Sequence, residues 1–357
     1  MFNWSRPLRL AQHIMRANLG RDDLPYKLTF AVTNRCNARC QACLIWQRNT
    51  GHDLSLVEIE SFFKQANHFS WIDLTGGEPF VRPDIIPLVT IILRHSPRLY
   101  HLHLPTNAVS PSLTIQRIQE ILTLAPHKLT ITLSLDGPPA QHDTLRGVEG
   151  NWLSCLEVYR HFAKKPHPNL EIFFGFTLSD FNLGTFTATM QAVREQIPEV
   201  DHRQWHMNIA HRSHYYGNMA IELHSDANQA ALAKEVADFR AAKQGWLDPV
   251  AFLEGLYLTN ALKYLETGTT PLPCLAIRSS LFLTPNGDCL PCSIWNRPLG
   301  NIREFDCNLK ALLAADRARE AVRDIQAKQC PHCWTPCDAY PTILGNLFHV
   351  IFGSRRG

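Results

Sequence analysis

Net charge and long apolar runs are what this 357-residue chain has least of. Its 35 Lys and Arg against 32 Asp and Glu leave +3 at pH 7. That is too even for the concentrated basic surface of a nucleic-acid binder, so no nucleic-acid partner is expected. No apolar stretch reaches the ~20 residues that a membrane-crossing helix needs. Residues 1–24 carry Arg6, Arg9, Arg16 and Arg21 but lack the continuous apolar run of an export signal. A cytoplasmic location is therefore expected. The hydrophobic fraction of 45% belongs to an ordinary globular chain.

Cysteine is what the chain has in excess, with 11 residues. In a reducing compartment, clustered thiols read as metal ligands rather than as disulfides.

Short β-branched or aromatic runs alternate with amphipathic stretches. The runs are 28–33, 71–76, 99–106, 129–136, 170–178 and 204–210. Helical patterns lie between them at 55–67, 83–95, 111–124, 150–163 and 184–197. Strand-then-helix units imply parallel strands, because parallel neighbours need long crossovers. In such sheets ligands gather beyond the carboxyl ends of the strands. Polar and glycine residues do cluster there: Thr33-Asn34, Gly76-Gly77-Glu78, Thr106-Asn107 and Ser134 to Gly137. Residues 226–266 read as one or two helices, with Gly245 and Pro249 as interruptions. Past Thr269–Pro273, which reads as a linker, the periodicity weakens and seven cysteines follow. The expected organisation is an N-terminal extension (1–24), a strand–helix domain (25–225), a helical connection (226–269), a cysteine-rich module (270–340) and a tail (341–357). The apolar tail 342–353, followed by Arg355-Arg356, is expected to dock on the core.

Cys36-x3-Cys40-x2-Cys43 directly follows the first strand run. Three thiolates on one loop hold three corners of a cubane iron–sulfur cluster and leave the fourth iron free for a ligand. The alternative is a zinc loop completed by His52 or a remote cysteine.

These residues resemble those of the radical S-adenosylmethionine (SAM) superfamily. The resemblance covers about residues 28–215. It rests on the three cysteines, on Gly76-Gly77-Glu78-Pro79, and on Ser134-Leu135-Asp136-Gly137 followed by His142-Asp143 and Arg146. It implies an α/β fold, a partial (β/α)6 TIM-like barrel with a small cysteine-rich C-terminal iron–sulfur module. It implies that Cys36, Cys40 and Cys43 hold a 4Fe-4S cluster whose open iron is chelated by the methionine part of SAM. The SAM contacts it implies are Gly76, Gly77, Glu78, Pro79, Thr106, Asn107, Ser134, Asp136 and Arg146. Relatives often place an aromatic residue before the third cysteine; here that position is Ala42, with Trp46 one turn on as a possible adenine cover.

The C-terminal cysteines begin with Cys274-x12-Gly287-x4-Cys292, which resembles the opening of a SPASM domain, an extension that binds auxiliary clusters. Pro285-Asn286-Gly287-Asp288 reads as a hairpin turn. Two fully ligated clusters need eight thiolates, and seven are present, so one auxiliary 4Fe-4S cluster is expected. Its expected ligands are Cys274, Cys292, Cys333 and Cys337, with Cys330 and Cys289 as alternates. A structural zinc site from Cys330, Cys333 and Cys337 with Cys292 or His332 stays open.

Other candidates follow from position. His211, Arg212, His214 and Tyr215 lie just after the sixth run, at the expected barrel mouth, and are substrate-side candidates. His101 and His103 share a strand face, for which a structural role is expected. Cys155 sits in an apolar helical pattern as a core cysteine. Asp180 and Asn182 line the site or form a turn. The resemblance implies an enzyme that cleaves SAM to a 5′-deoxyadenosyl radical and takes hydrogen from a substrate. A peptide or protein is the leading substrate class, with a lipid or small molecule as the alternative. A flavodoxin- or ferredoxin-like electron donor is the implied partner. A rival from another class is a non-catalytic iron–sulfur carrier. The basic N-terminal segment and apolar tail hint at membrane-surface association.

Overall fold

The computed structural model describes residues 5–21, 24–243 and 248–353. Gly245, Arg355 and Arg356 lie outside the described residues. The chain opens with helix α1 (Ser5–Asn18), then enters strand β1 (Lys27–Thr33). Helix and strand follow in turn: α2 (Leu56–Gln65), β2 (Trp71–Gly76), α3 (Ile85–His95), β3 (His101–Thr106), α4 (Pro111–Thr123) and β4 (Lys128–Ser134). Two helices, α5 (Pro139–Arg146) and α6 (Asn151–Ala163), then lead to β5 (Leu170–Leu178), α7 (Phe186–Gln196) and β6 (Trp205–Ile209).

Local chemistry explains several boundaries. Ser55 and Glu58 form a reciprocal capping box that starts α2. Pro111 occupies the first turn of α4, where its missing N–H costs nothing. The expected start of α3 at residue 83 moves to Ile85, and Arg82 binds the Asp84 carboxylate just ahead of it. Pro249 does not interrupt a helix; it opens α9 (Pro249–Thr267), which packs on α8 (Gln229–Ala242).

The six strands β1 to β6 are parallel and lie in sequential order. Right-handed crossovers between sequential strands keep the helices on one face of the sheet. Side-chain alternation then divides the residues cleanly. Ile72 and Leu74, Leu102 and Leu104, Ile131 and Leu133, Phe174 and Phe176 are buried in one continuous core. The intervening Asp73 and Thr75, His101 and His103, Thr130 and Thr132, and Gly175 and Thr177 line an inner cavity instead.

The cysteine-rich part continues this sheet. β7 (Ser280–Leu283) pairs in parallel with β1, from Lys27 opposite Ser280 to Phe30 opposite Leu283. β8 (Asp288–Leu290) pairs antiparallel with β7 across the Asn286–Gly287 turn, and β9 (Gly300–Asn301) pairs antiparallel with β8. The result is a nine-stranded sheet with β6 and β9 at its two edges, so it stays open. Four helices finish the described chain: α10 (Leu309–Ala314), α11 (Asp316–Gln326), α12 (Pro336–Gly345) and α13 (Leu347–Phe352). The tail docks as expected through α12, where Ile343 is fully buried and Gly345 fits against Leu275 and Ala17.

Candidate functional site

The loop after β1 carries Cys36, Cys40 and Cys43 as free, half-buried thiols that all line the inner cavity. Neighbouring strand ends hold this loop in place. Backbone N–H groups of Arg39 and Gln41 donate to the carbonyls of Arg146 (2.8 Å) and Leu145 (2.9 Å) at the end of α5. Asn218 Nδ2, beyond β6, donates to Ala42 O at 2.8 Å. Asn107 Nδ2, beyond β3, donates to Asn37 Oδ1 at 2.8 Å and approaches the Cys36 sulfur at 3.7 Å.

Gly76 and Gly77 serve chain packing here. A Cβ on Gly76 would lie 2.2 Å from Thr33 O, and one on Gly77 would lie 2.1 Å from Arg35 O. Gly76 also has φ +120°, which only glycine adopts readily. Because Gly76 and Gly77 have no side chains, the N–H groups of Gly77 and Glu78 can donate to Thr33 O and Arg35 O, each at 2.8 Å, and clip β2 to the cysteine loop. Both glycines still line the cavity.

Glu78 is buried and links β2 to β3. Its carboxylate accepts from Thr106 Oγ1 (2.9 Å), the Asn107 N–H (2.7 Å) and the Phe80 N–H (3.2 Å). Burial raises its pKa to about 7 despite these bonds. Pro79 follows it, buried, at the start of a short turn. Arg146 pairs with Asp136 Oδ2 at 2.5 Å and reaches the Cys40 sulfur with Nη1 at 3.5 Å. Asp136 also accepts the Thr177 N–H at 2.8 Å. Burial lowers the Arg146 pKa, but Asp136 and Cys40 more than offset that and raise it. Ser134 lines the cavity beside them, and Cys155 lies buried behind it, its thiol donating to Ser134 O and Asn107 O. Asp180 turns away to cap residues 224–228, whereas Asn182 reaches the cavity wall and donates to Asp136 O at 3.0 Å.

Of the four residues after β6, His211 alone lines the cavity. Its Nε2 accepts the Trp334 N–H at 2.9 Å and Nδ1 faces Ile209 O at 2.8 Å, which assigns the ring proton to Nδ1. Burial holds its pKa down to about 4. Arg212 and His214 are exposed. Tyr215 is buried against Phe282 instead, with its ring centroid 4.8 Å away. Tyr216 and Asn218 take cavity positions that the sequence did not single out.

The cavity of about 760 Å³ is more polar in its depth than the sequence suggested. Lys27 pairs with Asp73 at 3.0 Å. Asp73 also accepts from Trp71 Nε1 at 2.6 Å and faces His103 at 3.3 Å. His101 and His103 bond Thr130 and Thr132. The available signal was polar residues at alternate positions in a parallel sheet, where both faces are ordinarily apolar.

The C-terminal thiols divide into groups. Cys292 is within electrostatic reach of Cys333, Cys274 and Cys330, and Cys333 together with burial raises its pKa. Backbone N–H groups of Trp295 and Ala276 point at the sulfurs of Cys292 (3.4 Å) and Cys274 (3.5 Å). Cys337, one of the expected ligands, lies apart from these couplings in the placement that the structure gives its residue. It lies in the first turn of α12 and lines the inner cavity, where its thiol meets Thr29, Lys27 and Asp73. Cys289 is buried within β8, and Cys307 donates to Glu58 O at 3.8 Å, away from the group.

Residues 30–191 match the radical SAM superfamily, and residues 274–338 match an iron–sulfur cluster-binding domain, SPASM. Residues 30–191 therefore form a radical SAM domain, and residues 274–338 a SPASM domain. The chain is 28% identical over 162 residues to the antilisterial bacteriocin subtilosin biosynthesis protein AlbA of Bacillus subtilis, covering 43% of the chain and 34% of AlbA. It is 32% identical over 119 residues to a GTP 3′,8-cyclase of Picosynechococcus, covering 31% of the chain and 35% of the cyclase. The chain thus spans about a third of the curated relatives it matches. Among solved structures, Streptococcus suis SuiB bound to S-adenosylmethionine has a similar fold, with TM-score 0.59 and 16% identity over 87% of this chain and 71% of that one. Native anSMEcpe with bound AdoMet gives TM-score 0.59 and 15% identity, over 91% and 97% of the two chains.

A radical SAM domain implies a 4Fe-4S cluster and SAM, and a SPASM domain implies auxiliary iron–sulfur clusters. The residues fit these groups. The thiols of Cys36 and Cys43 are raised by burial to about 11 and about 12, so they ionise only against strong positive charge such as cluster iron. Arg146 Nε and Trp46 Nε1 are buried, line the cavity through their side chains and lack a hydrogen-bond partner. Both donors suit a carboxylate or a purine. Among the described residues, no group of three His, Cys, Asp or Glu side chains converges on one point for a single metal ion. A cubane takes its thiolates at separate corners and needs no such convergence.

Proposed function

We propose that this chain is a radical SAM enzyme that takes a hydrogen atom from a substrate held in the inner cavity. When bound, the 4Fe-4S cluster supplies an electron to the sulfonium of SAM, which releases methionine and the 5′-deoxyadenosyl radical that abstracts the hydrogen. Cys36, Cys40 and Cys43 hold three irons and leave the fourth to the amino acid end of SAM. Arg146, fixed by Asp136, turns its free Nε–H to the SAM carboxylate. Glu78, Thr106 and Asn107 hold the strand ends in register beneath the cluster loop. Ser134 and Trp46 border the nucleoside. Cys274, Cys292, Cys330 and Cys333 hold one auxiliary cluster. A flavodoxin- or ferredoxin-like protein supplies the electron, and the abundance of free thiols supports a reducing, cytoplasmic setting.

The single observation that carries this reading is the placement of three thiols from one loop on the wall of a cavity shared with Glu78 and Arg146. A peptide or protein substrate is supported by the names of the similar proteins: AlbA works in bacteriocin biosynthesis, and SuiB has been solved with the precursor peptide SuiA. The test is anaerobic incubation of the reduced, iron-loaded protein with SAM. It should form 5′-deoxyadenosine well above a Cys36→Ala control; equal, background-level formation in both would sink the reading.

A further inference from the structure

The radical chemistry leaves one face of the molecule unused. On α1, Leu10 and Ile14 turn inward to the cavity. Leu8, Met15 and Leu19, just past the helix, are 59%, 58% and 53% exposed. Their spacing of seven and four residues puts them on one stripe. Arg9 and Arg16, also seven apart, flank that stripe, and α1 contains no Asp or Glu. α13 lies beside it and exposes Phe348 (43%) and Ile351 (54%). Asn18 fixes the pair, donating from Nδ2 to Leu344 O at 2.7 Å and accepting the Phe348 N–H at 3.0 Å. Five of the nine large hydrophobic residues exposed among the described residues thus belong to α1, its C-terminal end and α13.

That face carries positive charge. His13, on α1, has its pKa lowered by burial and then by Arg98, Arg16 and Arg9. An apolar stripe flanked by arginine is the pattern of a helix lying in the headgroup region of an anionic bilayer. Among the described residues no helix is long and apolar enough to cross a membrane, so such contact would be peripheral.

The inner cavity reaches the same face. Half-buried Leu10, Ile14, Leu344 and Leu347 line it together with Cys36 and Arg146. The cysteine loop follows the carboxyl end of β1, and the seven residues of β1 span roughly 20 Å at ~3.3 Å each. We propose that α1 and α13 dock on an anionic membrane surface and that the cavity end between them admits the apolar chain of an amphiphilic substrate drawn from it. This rests on the radical SAM reading of the cavity and, in place of the peptide that the names of the similar proteins support, takes as substrate a molecule with a polar reacting end and an apolar chain. The substrate's apolar part lies against α1 and α13, and its reacting carbon extends toward the cysteine loop.

The experiment uses the full chain with phosphatidylcholine vesicles, with and without one quarter phosphatidylglycerol. The protein should sediment with the anionic vesicles and not with phosphatidylcholine alone. Leu8→Glu with Met15→Glu should lower the bound fraction at least tenfold and leave SAM cleavage in solution at the wild-type rate. Indifference to the anionic lipid, equal binding by the double variant, or a dimer in solution that the double variant dissolves would each overturn the docking. Pyrenedodecanoic acid, below its micellar concentration, should bind the wild type and bind Ile14→Trp about tenfold more weakly; equal binding would overturn the apolar-chain site. Vesicle binding without any SAM cleavage would instead overturn the enzyme reading, so the two failures are distinguishable.

Discussion

Arg146 and Asp136 form a 2.5 Å ion pair on the cavity wall, and the same guanidinium reaches the Cys40 sulfur at 3.5 Å. One side chain thereby joins the end of α5, the end of β4 and the cysteine loop. Replacing Arg146 by Ala should weaken SAM binding to the iron-loaded protein by at least tenfold, since a charge-assisted hydrogen bond contributes about 1.5–3 kcal/mol. Arg146→Lys should recover less than half of that, because an ammonium lacks the fork that serves Asp136 and the ligand together. Anaerobic equilibrium dialysis with labelled SAM measures both; wild-type affinity in the Ala variant would remove Arg146 from the binding site.

The backbone clip at Gly77 admits no side chain. A Cβ there meets Arg35 O at 2.1 Å, so Gly77→Ala should displace the loop that carries Cys36. The expected outcome is loss of about half of the protein-bound iron after anaerobic reconstitution, with the C-terminal thiols still loaded. Iron and labile-sulfide assays read this directly.

The thiol grouping sets a further iron count. Wild-type protein should hold about eight irons, and a Cys330→Ala, Cys333→Ala variant about four, since it leaves the auxiliary cluster two thiolates, one fewer than hold the cluster of Cys36, Cys40 and Cys43. Cys289→Ala should hold as much iron as the wild type, since Cys289 is buried within β8 away from the grouped thiols. Four irons and stoichiometric zinc in the wild type would replace the auxiliary cluster by a zinc site.

Glu78 gives a pH signature. Its folded pKa, about 7, lies above its ordinary value near 4.5, so the folded state favours the protonated carboxyl. That stabilisation is complete below about pH 4.5 and is lost as pH rises to about 7, a change of about 3 kcal/mol. Metal-free wild-type protein should therefore lose stability across this window relative to Glu78→Gln. Urea unfolding at several pH values checks it, and parallel curves for the two proteins would contradict the buried-carboxyl account.

Deeper in the cavity, Lys27 lies buried on Asp73. Lys27→Met should cost about 3–5 kcal/mol by removing the lysine charge that offsets the buried Asp73 carboxylate, and adding Asp73→Leu should restore much of it. Urea midpoints of the two variants measure the difference.

Much of this arrangement was legible in the chain because it is written in local pattern. The runs that became β1 to β6 carry β-branched and aromatic residues of strand length, and Gly76, Asn107 and Asp136 mark their ends. Other features depend on contacts far apart in sequence. The pairing of β7 with β1 joins residues some 250 positions apart through four residues of no special composition. α5, PAQHDTLR, is too short and polar to show a helical stripe. α12 starts at Pro336, which puts Cys337 in its first turn and on the cavity wall. Cysteine spacing alone carries no record of that placement. The polar lumen was visible in Asp73, His101 and Thr130, but its meaning required the sheet to curve around them.

The most direct test is the electron paramagnetic resonance spectrum of a reduced Cys330→Ala, Cys333→Ala variant, in which the cluster of Cys36, Cys40 and Cys43 stands alone. Adding SAM should change the g-values of that cluster, as a new ligand takes its open iron. A spectrum that stays the same at saturating SAM, with the cluster fully loaded, would contradict an open iron at this site.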